Sequence, residues 1–260
     1  MKTRILSGLI MAPLLIVLFL GGYVLLAACF VIGVMAVKEF YDGFGNMGIR
    51  PSYVTAYAAI LGLYAINMFT SDYHWYMVWF FGCVVASLLY LFRIEERRLE
   101  DAMATITGIF YVIFFSYHVL LVEQTGEYSL MLWLIVLTAF GTDIMAYFAG
   151  VFFGKHKLCP KISPKKTIEG SIGGILGSVI LCGVFGWIFI PRLFIHCLII
   201  GVLGGVISQF GDLTASIFKR KMGIKDYGNL IPGHGGILDR FDSVLFTAPM
   251  VYYYILLILG

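Results

Sequence analysis

The sequence predicts an all-α, polytopic integral membrane protein with about nine transmembrane helices. Three observations predict it. Of the 260 residues, 60% are hydrophobic and only 13% are charged, whereas a soluble domain is charged at about a quarter of its positions. The mean hydropathy is +0.93, so there is more apolar surface than a globular core can hide and a bilayer must cover it. The apolar residues also come in runs of the length a helix needs to cross the hydrocarbon, about 20 residues.

The runs fall near residues 5–20, 23–41, 51–70, 74–92, 102–123, 128–153, 169–191, 193–217 and 244–260. The first, MKTRILSGLIMAPLLIVLFL, resembles a signal peptide. No small-x-small cleavage site follows it and further spans do, so it reads as a retained first helix. Gly21-Gly22 and Pro191-Arg192 are tight turns between neighbouring spans. The first run is short and the sixth long, which implies tilt or partial burial. In the loop after the sixth, GKHKLCPKISPKKTIEGS, Pro160 and Pro164 stop a helix from forming. There is no internal repeat, low-complexity tract or soluble domain. Residues 1–260 therefore read as one membrane domain, with N-terminal helices over 1–130 and C-terminal helices over 131–260 that carry the polar site.

Charge gives the orientation. With nine alternating helices, every one of the 18 basic residues except Arg192 falls on one side of the membrane. Lys and Arg stay cytoplasmic, so the N-terminus is expected in the cytoplasm and the C-terminus opposite. The net charge of +3 is too small to suggest a nucleic-acid partner. The cysteines Cys29, Cys83, Cys159, Cys182 and Cys197 have neither metal nor disulfide spacing. Four of them lie in apolar runs, where a buried thiol is a small hydrophobe.

Acidic residues inside spans are costly and mark function. Asp143 lies late in span six and Asp212 late in span eight, at similar depth toward the cytoplasmic end. The plainer reading is an ion pair with a neighbouring cation. Lys165, Lys166 and Thr167 lead into the Gly-rich start of span seven. Backbone N–H groups and a positive dipole end at such a start suit phosphate, although the same lysines could be mere topology charge. The stretch KDYGNLIPGHGGILDRFDS, residues 225–243, is denser still. Asp239 and Asp242 are three apart and would share a face on a helix. Gly233, Gly235 and Gly236 flank His234 and permit close approach of backbone to a ligand. Carboxylates around a basic loop suit a hard divalent ion, since Mg2+ takes one or two carboxylates plus substrate phosphates.

At these residues the sequence resembles the phosphatidate cytidylyltransferases, also called CDP-diacylglycerol synthases. SIFKRKMGIKDYGNLIPGHGGILDRFDS carries the family pattern of Ser-x-apolar-Lys-Arg, Lys-Asp, Pro-x-His-Gly-Gly and Asp-Arg-apolar-Asp. Its elements are Ser216, Lys219, Arg220, Lys225, Asp226, Pro232, His234, Gly235, Gly236, Asp239, Arg240 and Asp242. The segment Ser163–Thr167 with Glu169-Gly170, and the Asp143-x-x-Ala-Tyr segment, resemble the family as well. Residues 1 to about 130 resemble it only in being hydrophobic.

The resemblance implies a reaction: CTP and phosphatidic acid give CDP-diacylglycerol and pyrophosphate, the committed step to phospholipid synthesis. It implies Mg2+, with a potassium ion as a second candidate, and a metal centre at Asp212 and Asp239. It also implies a homodimer in the bacterial inner membrane, with its site open to the cytoplasm and the bilayer. Candidate catalytic residues are then Asp212, Lys219, Arg220, His234, Asp239, Arg240 and Asp242. Candidate substrate-binding residues are Asp143, Lys165, Lys166, Thr167, Ser216, Lys225 and Asp226. The chemistry agrees. A phosphate monoester has a second pKa of about 6, so the nucleophile is largely ionised at neutral pH and needs no base. Positioning and charge neutralisation are what remain. A transporter of a phosphorylated or ionic substrate would also explain intramembrane acids, but it predicts broken helices in repeated halves. A CDP-alcohol phosphatidyltransferase would need an Asp-Gly-x-x-Ala-Arg pattern, which is absent.

Overall fold

A computed structural model describes residues 15–70, 72–230 and 235–260. It is helical almost throughout. Helix α1 is Gly22–Gly45, α2 Tyr53–Phe69, α3 His74–Phe92, α4 Leu99–Glu123 and α5 Gly126–Phe153. A small hairpin follows, with β1 at Lys157–Cys159 and β2 at Ser163–Thr167. Then come α6 at Ile168–Phe189, α7 at Pro191–Lys221, the four-residue α8 at Leu238–Phe241, and α9 at Val244–Leu259.

Among the described residues, six helices are long and apolar enough to cross a membrane, namely α1, α3, α4, α5, α6 and α7. The apolar α2 and α9 are shorter. Eight of the nine anticipated runs coincide with these helices. The run near 5–20 lies mostly outside the described residues, although residues 15–20 are helical. Gly21 and Gly22 break the chain with φ of 60° and 51°, as the paired glycines suggest.

Helix starts are set by local polar chemistry. The Ser52 side chain accepts a hydrogen bond from the Thr55 N–H at 3.2 Å to cap α2, and the Thr167 hydroxyl accepts from Gly170 N–H at 3.1 Å to cap α6. Asp101, at the start of α4, accepts from the N–H of Arg98 at 2.9 Å and of Arg50 at 2.7 Å. A buried carboxylate there satisfies orphan donors and complements the helix dipole.

The chain forms two compact units. One holds the residues up to Tyr117 together with Lys221–Arg240, and the other holds His118–Arg220 and Phe241–Gly260. In the first, α1 packs beside α2 and the wide-turn segment Gly108–Phe114 of α4. Its core includes Phe40, Tyr41, Leu63 and Val112, all buried. Tyr41 donates to the Thr105 carbonyl at 2.6 Å, so its hydroxyl is not orphaned in the apolar interior.

In the second unit α5 and α6 form the most extensive pairing. The sequence of α6 explains why. Gly170, Gly174 and Gly177 recur at helical spacing and turn a small-residue stripe toward α5. A Cβ at Gly170 would stand 2.8 Å from the Ala146 carbonyl, and one at Gly174 would stand 3.0 Å from that of Thr142. Between apolar helices in lipid, such stripes supply close van der Waals contact where the hydrophobic effect supplies little.

Two features differ from what the sequence suggests. The loop after α5 is helix-free, as Pro160 and Pro164 require, but it forms a two-stranded antiparallel hairpin with Lys157 opposite Thr167 and Cys159 opposite Ser163. And α8 ends at Phe241. Asp239 and Asp242 therefore do not share a face of one continuous helix, because the chain turns between them and starts α9 at Val244.

Candidate functional site

The polar residues singled out by the sequence gather in two groups, one in each unit. The group in the second unit is built on α5, α7, the hairpin and the turn before α9. Asp212 projects from α7. The hairpin brings the Lys166 ammonium to it, and the two side chains are hydrogen-bonded and ion-paired. Ser216, one turn further along α7, donates from Oγ to Asp212 Oδ1 at 3.5 Å. Both members of the ion pair keep some exposure, 26% for the Lys166 side chain and 22% for that of Asp212, so a ligand could reach them.

Asp242 belongs to the same group and is itself buried. Gly211 makes this possible. A Cβ there would lie 3.0 Å from the Asp242 carbonyl and 3.2 Å from the Ser243 Cα, so only glycine lets the turn approach α7 so closely. Ser243 N–H donates to Asp242 Oδ1 at 2.8 Å, and Ser243 Oγ donates to the Ser208 carbonyl on α7 at 3.2 Å. Burial pushes the Asp242 carboxyl up to about 8, with repulsion from Asp212 and Asp143 adding to it and Lys219 opposing it. Three carboxylates, Asp143, Asp212 and Asp242, thus share one electrostatic environment with the cations Lys166 and Lys219.

The rest of the hairpin serves it structurally. Thr167 spends its hydroxyl on the α6 cap. Glu169 accepts from the Lys155 N–H at 3.0 Å and pairs with His156 Nδ1 at 2.6 Å, tying the two ends of the loop together. Arg220 Nε donates to the Ile162 carbonyl at 3.4 Å. Lys165 is exposed beside Lys166.

The group in the first unit is built on α1 and on the segment running into α8. Asp239 is buried, and its Oδ2 accepts from the Tyr227 N–H at 2.8 Å and the Gly236 N–H at 2.9 Å. Gly235 has φ of 81°, and a Cβ there would lie 2.6 Å from Asp239 Oδ2. The left-handed backbone and the close approach both require glycine. Lys225 and Asp226 are exposed, and Arg240 is half-buried. His234, like Pro232 and Gly233, lies outside the described residues.

One member of this group escapes a reading of the sequence. Glu39, near the C-terminal end of α1, accepts from the Ile237 N–H with Oε1 and from the Leu238 N–H with Oε2, each at 2.9 Å. The available signal was a carboxylate inside an apolar run, in VKEFYDGFG, the same signal that pointed to Asp143 and Asp212.

The donor set suits a hard cation, being carboxylate oxygen throughout. Among the described residues no three carboxylate, imidazole or thiol groups converge closely enough to hold a metal ion by themselves. An ion here would complete its shell with phosphate oxygens and water, as Mg2+ characteristically does.

The pattern that describes the cytidylyltransferase family matches residues 2–258. A phosphatidate cytidylyltransferase of Synechocystis sp. is 35% identical over 288 residues, covering 98% of this chain and 97% of its own. One from Bacillus subtilis is 32% identical over 266 residues, covering 97% of each. One from Staphylococcus epidermidis is 35% identical over 259 residues, covering 96% of this chain and 97% of its own.

Proposed function

The chain belongs to the cytidylyltransferase family, and on that premise we infer that it transfers CMP from CTP to phosphatidic acid, giving CDP-diacylglycerol and pyrophosphate. The observation that carries this reading is identity to phosphatidate cytidylyltransferases over nearly the whole chain. A transporter is not favoured, because the relatives matched over nearly the whole chain and described above are named phosphatidate cytidylyltransferases.

An oxygen of the phosphatidate monoester attacks the α-phosphorus of CTP. The bond from that phosphorus to the β-phosphate oxygen breaks, and pyrophosphate leaves with the electron pair. No proton need be removed from the nucleophile, because a phosphate monoester with a second pKa of about 6 is already largely a dianion at neutral pH. The side chains therefore act by placing charge. Lys166 and Lys219 stand among carboxylates, where they can meet phosphate oxygens without a large uncompensated positive field. Arg220 and Arg240 add planar donors suited to phosphate. Asp212 and Asp239 would hold Mg2+ on the strength of the family pattern, with Asp242 beside the first of them. When bound, the ion supplies counter-charge to the departing pyrophosphate. A potassium ion and a homodimer are proposals of the same origin.

We place the reaction at the cytoplasmic face of a bacterial inner membrane. The support is the one-sided distribution of Lys and Arg and the need to combine a soluble nucleotide with a lipid. The test is purified protein with radiolabelled CTP, phosphatidic acid and Mg2+. A lipid-soluble cytidine product is expected, and its absence with active protein would overturn the reading.

A further inference from the structure

The segment that leads into α8 has little to stabilise it alone. Its helix is four residues long, too short to persist by its own hydrogen bonds. The first N–H groups of any helix also lack intrahelical partners. Here Ile237 and Leu238 donate theirs to the two oxygens of Glu39, across 198 and 199 residues of chain. Leu238 is fully buried, so its N–H would be orphaned without that carboxylate, and an orphaned buried donor is costly.

The seat for Glu39 is closely built. A Cβ at Gly228 would stand 2.7 Å from Oε1, and one at Gly236 would stand 2.6 Å from the same atom. The same end of α1 makes two more contacts with this segment. Phe40 packs against Tyr227 with ring centroids 6.0 Å apart, and a Cβ at Gly43 would stand 3.2 Å from the end of the Ile224 side chain. Asp239 holds the same segment from within, through the Tyr227 and Gly236 N–H groups. Four backbone donors are thus shared between two carboxylates, and one of those carboxylates comes from α1.

We propose that Glu39 is a positioning residue for the transfer reaction, fixing through the Ile237 and Leu238 N–H groups the turn that presents Asp239 and Arg240. The proposal rests on the reading of the chain as a cytidylyltransferase with Asp239 at its centre. Both oxygens of Glu39 are engaged with backbone, which suits a residue acting through others.

The test uses the full-length protein reconstituted in lipid, with Glu39→Ala, Glu39→Gln and, as a control on the neighbouring exposed residue, Lys38→Ala. Amide hydrogen exchange over residues 235–240 reads the turn directly. Exchange is expected to be roughly tenfold faster in Glu39→Ala, with the rest of the protein unchanged. Gln keeps one acceptor oxygen but turns an NH2 toward the other N–H, so an intermediate effect is expected. Kinetics read the consequence. Loss of a supporting hydrogen-bond partner typically costs 10–100-fold, so kcat should fall about 100-fold in Glu39→Ala and about tenfold in Glu39→Gln, with KM for CTP nearly constant. Lys38→Ala should match wild type in both. A merely structural role would lower the yield of folded protein and leave kcat per folded molecule intact. If Glu39→Ala does not fold, Glu39→Gln decides. Unchanged exchange, or kcat within twofold of wild type, would overturn the proposal. If the wild type forms no lipid-linked cytidine, the transferase reading fails first, and the exchange data then speak only to folding.

Discussion

The ammonium of Lys166 is bonded to the carboxylate of Asp212, joining the hairpin to α7 across 46 residues of chain. A cation and a carboxylate, each about a quarter exposed, can exchange this contact for a phosphate and a metal ion at little cost in buried charge. On the function proposed above, substrate binding at this pair would be an exchange of counter-ions.

The first prediction tests that exchange. Asp212→Asn should abolish turnover while the protein remains inserted and folded, with raised Mg2+ rescuing it weakly at best. Lys166→Met should lower kcat/KM for CTP by on the order of 10²-fold, the usual cost of losing one donor to a developing negative charge. Lys166→Arg should recover part of the loss. Near-normal turnover of Asp212→Asn would remove that residue from the site.

Asp239 supports a second prediction. Asn at this position keeps a neutral oxygen that can accept from Tyr227 and Gly236, so the turn should survive, but the charge is gone. Turnover should fall more than about 10²-fold, while the melting midpoint shifts by only a few degrees. Steady-state kinetics and thermal unfolding on the same preparation separate the two effects. A large drop in the midpoint with normal activity per folded molecule would make Asp239 a structural residue.

The third concerns Asp242 and pH. Its carboxyl is raised to about 8, so between the ordinary carboxylate range, near pH 4, and pH 8 the folded protein holds a proton that the unfolded chain has released. Stability falls with pH wherever the native state binds more protons than the unfolded one. The contribution is therefore fully present below about pH 4 and is lost progressively as pH rises toward 8. Asp242→Asn cannot titrate, so its melting midpoint should decline less between pH 5 and 8 than that of wild type, both measured in EDTA. Parallel curves for the two proteins would contradict the assignment.

Much of this arrangement was legible in the sequence, for identifiable reasons. Eight helices were visible because each is a long apolar run closed by charge, glycine or proline. Asp143 and Asp212 were visible because a carboxylate in such a run is expensive. The hairpin was not, because KLC and SPKKT show no alternation, and its pairing depends on Glu169 tying Lys155 and His156. Glu39 lies in such a run as well, but what it holds was not legible, because its partners are backbone N–H groups, which carry no side-chain signature. The close approach at Gly211 was hidden too, since the turn it admits is contributed by residues 242 and 243.

Orientation is tested separately. Reporter fusions before Lys2 and after Gly260 should report opposite sides of the membrane, with the N-terminus cytoplasmic. The expectation comes from the placement of all basic residues but Arg192 on one side of a nine-helix chain. Reporters on the same side would mean that the number of spans differs by one.

The last prediction concerns the base that the reaction does not need. Phosphatidic acid is already anionic at neutral pH, so no side chain need take its proton. His234, standing between the glycines of PGHGG, is the residue to test for a base role. Asn at this position can still donate a hydrogen bond but cannot titrate. His234→Asn should therefore lower the rate without changing the shape of the pH–rate profile. A general base would contribute typically 10²–10⁴-fold and impose its own pKa on that profile. The measurement is kcat/KM for phosphatidic acid against pH, in wild type and variant, at saturating CTP and Mg2+. Both profiles should fall on the acid side near pH 6, because that limb belongs to protonation of the substrate phosphate, whose second pKa is about 6. Loss of that limb in His234→Asn would identify the imidazole as the base and end the positioning-only mechanism.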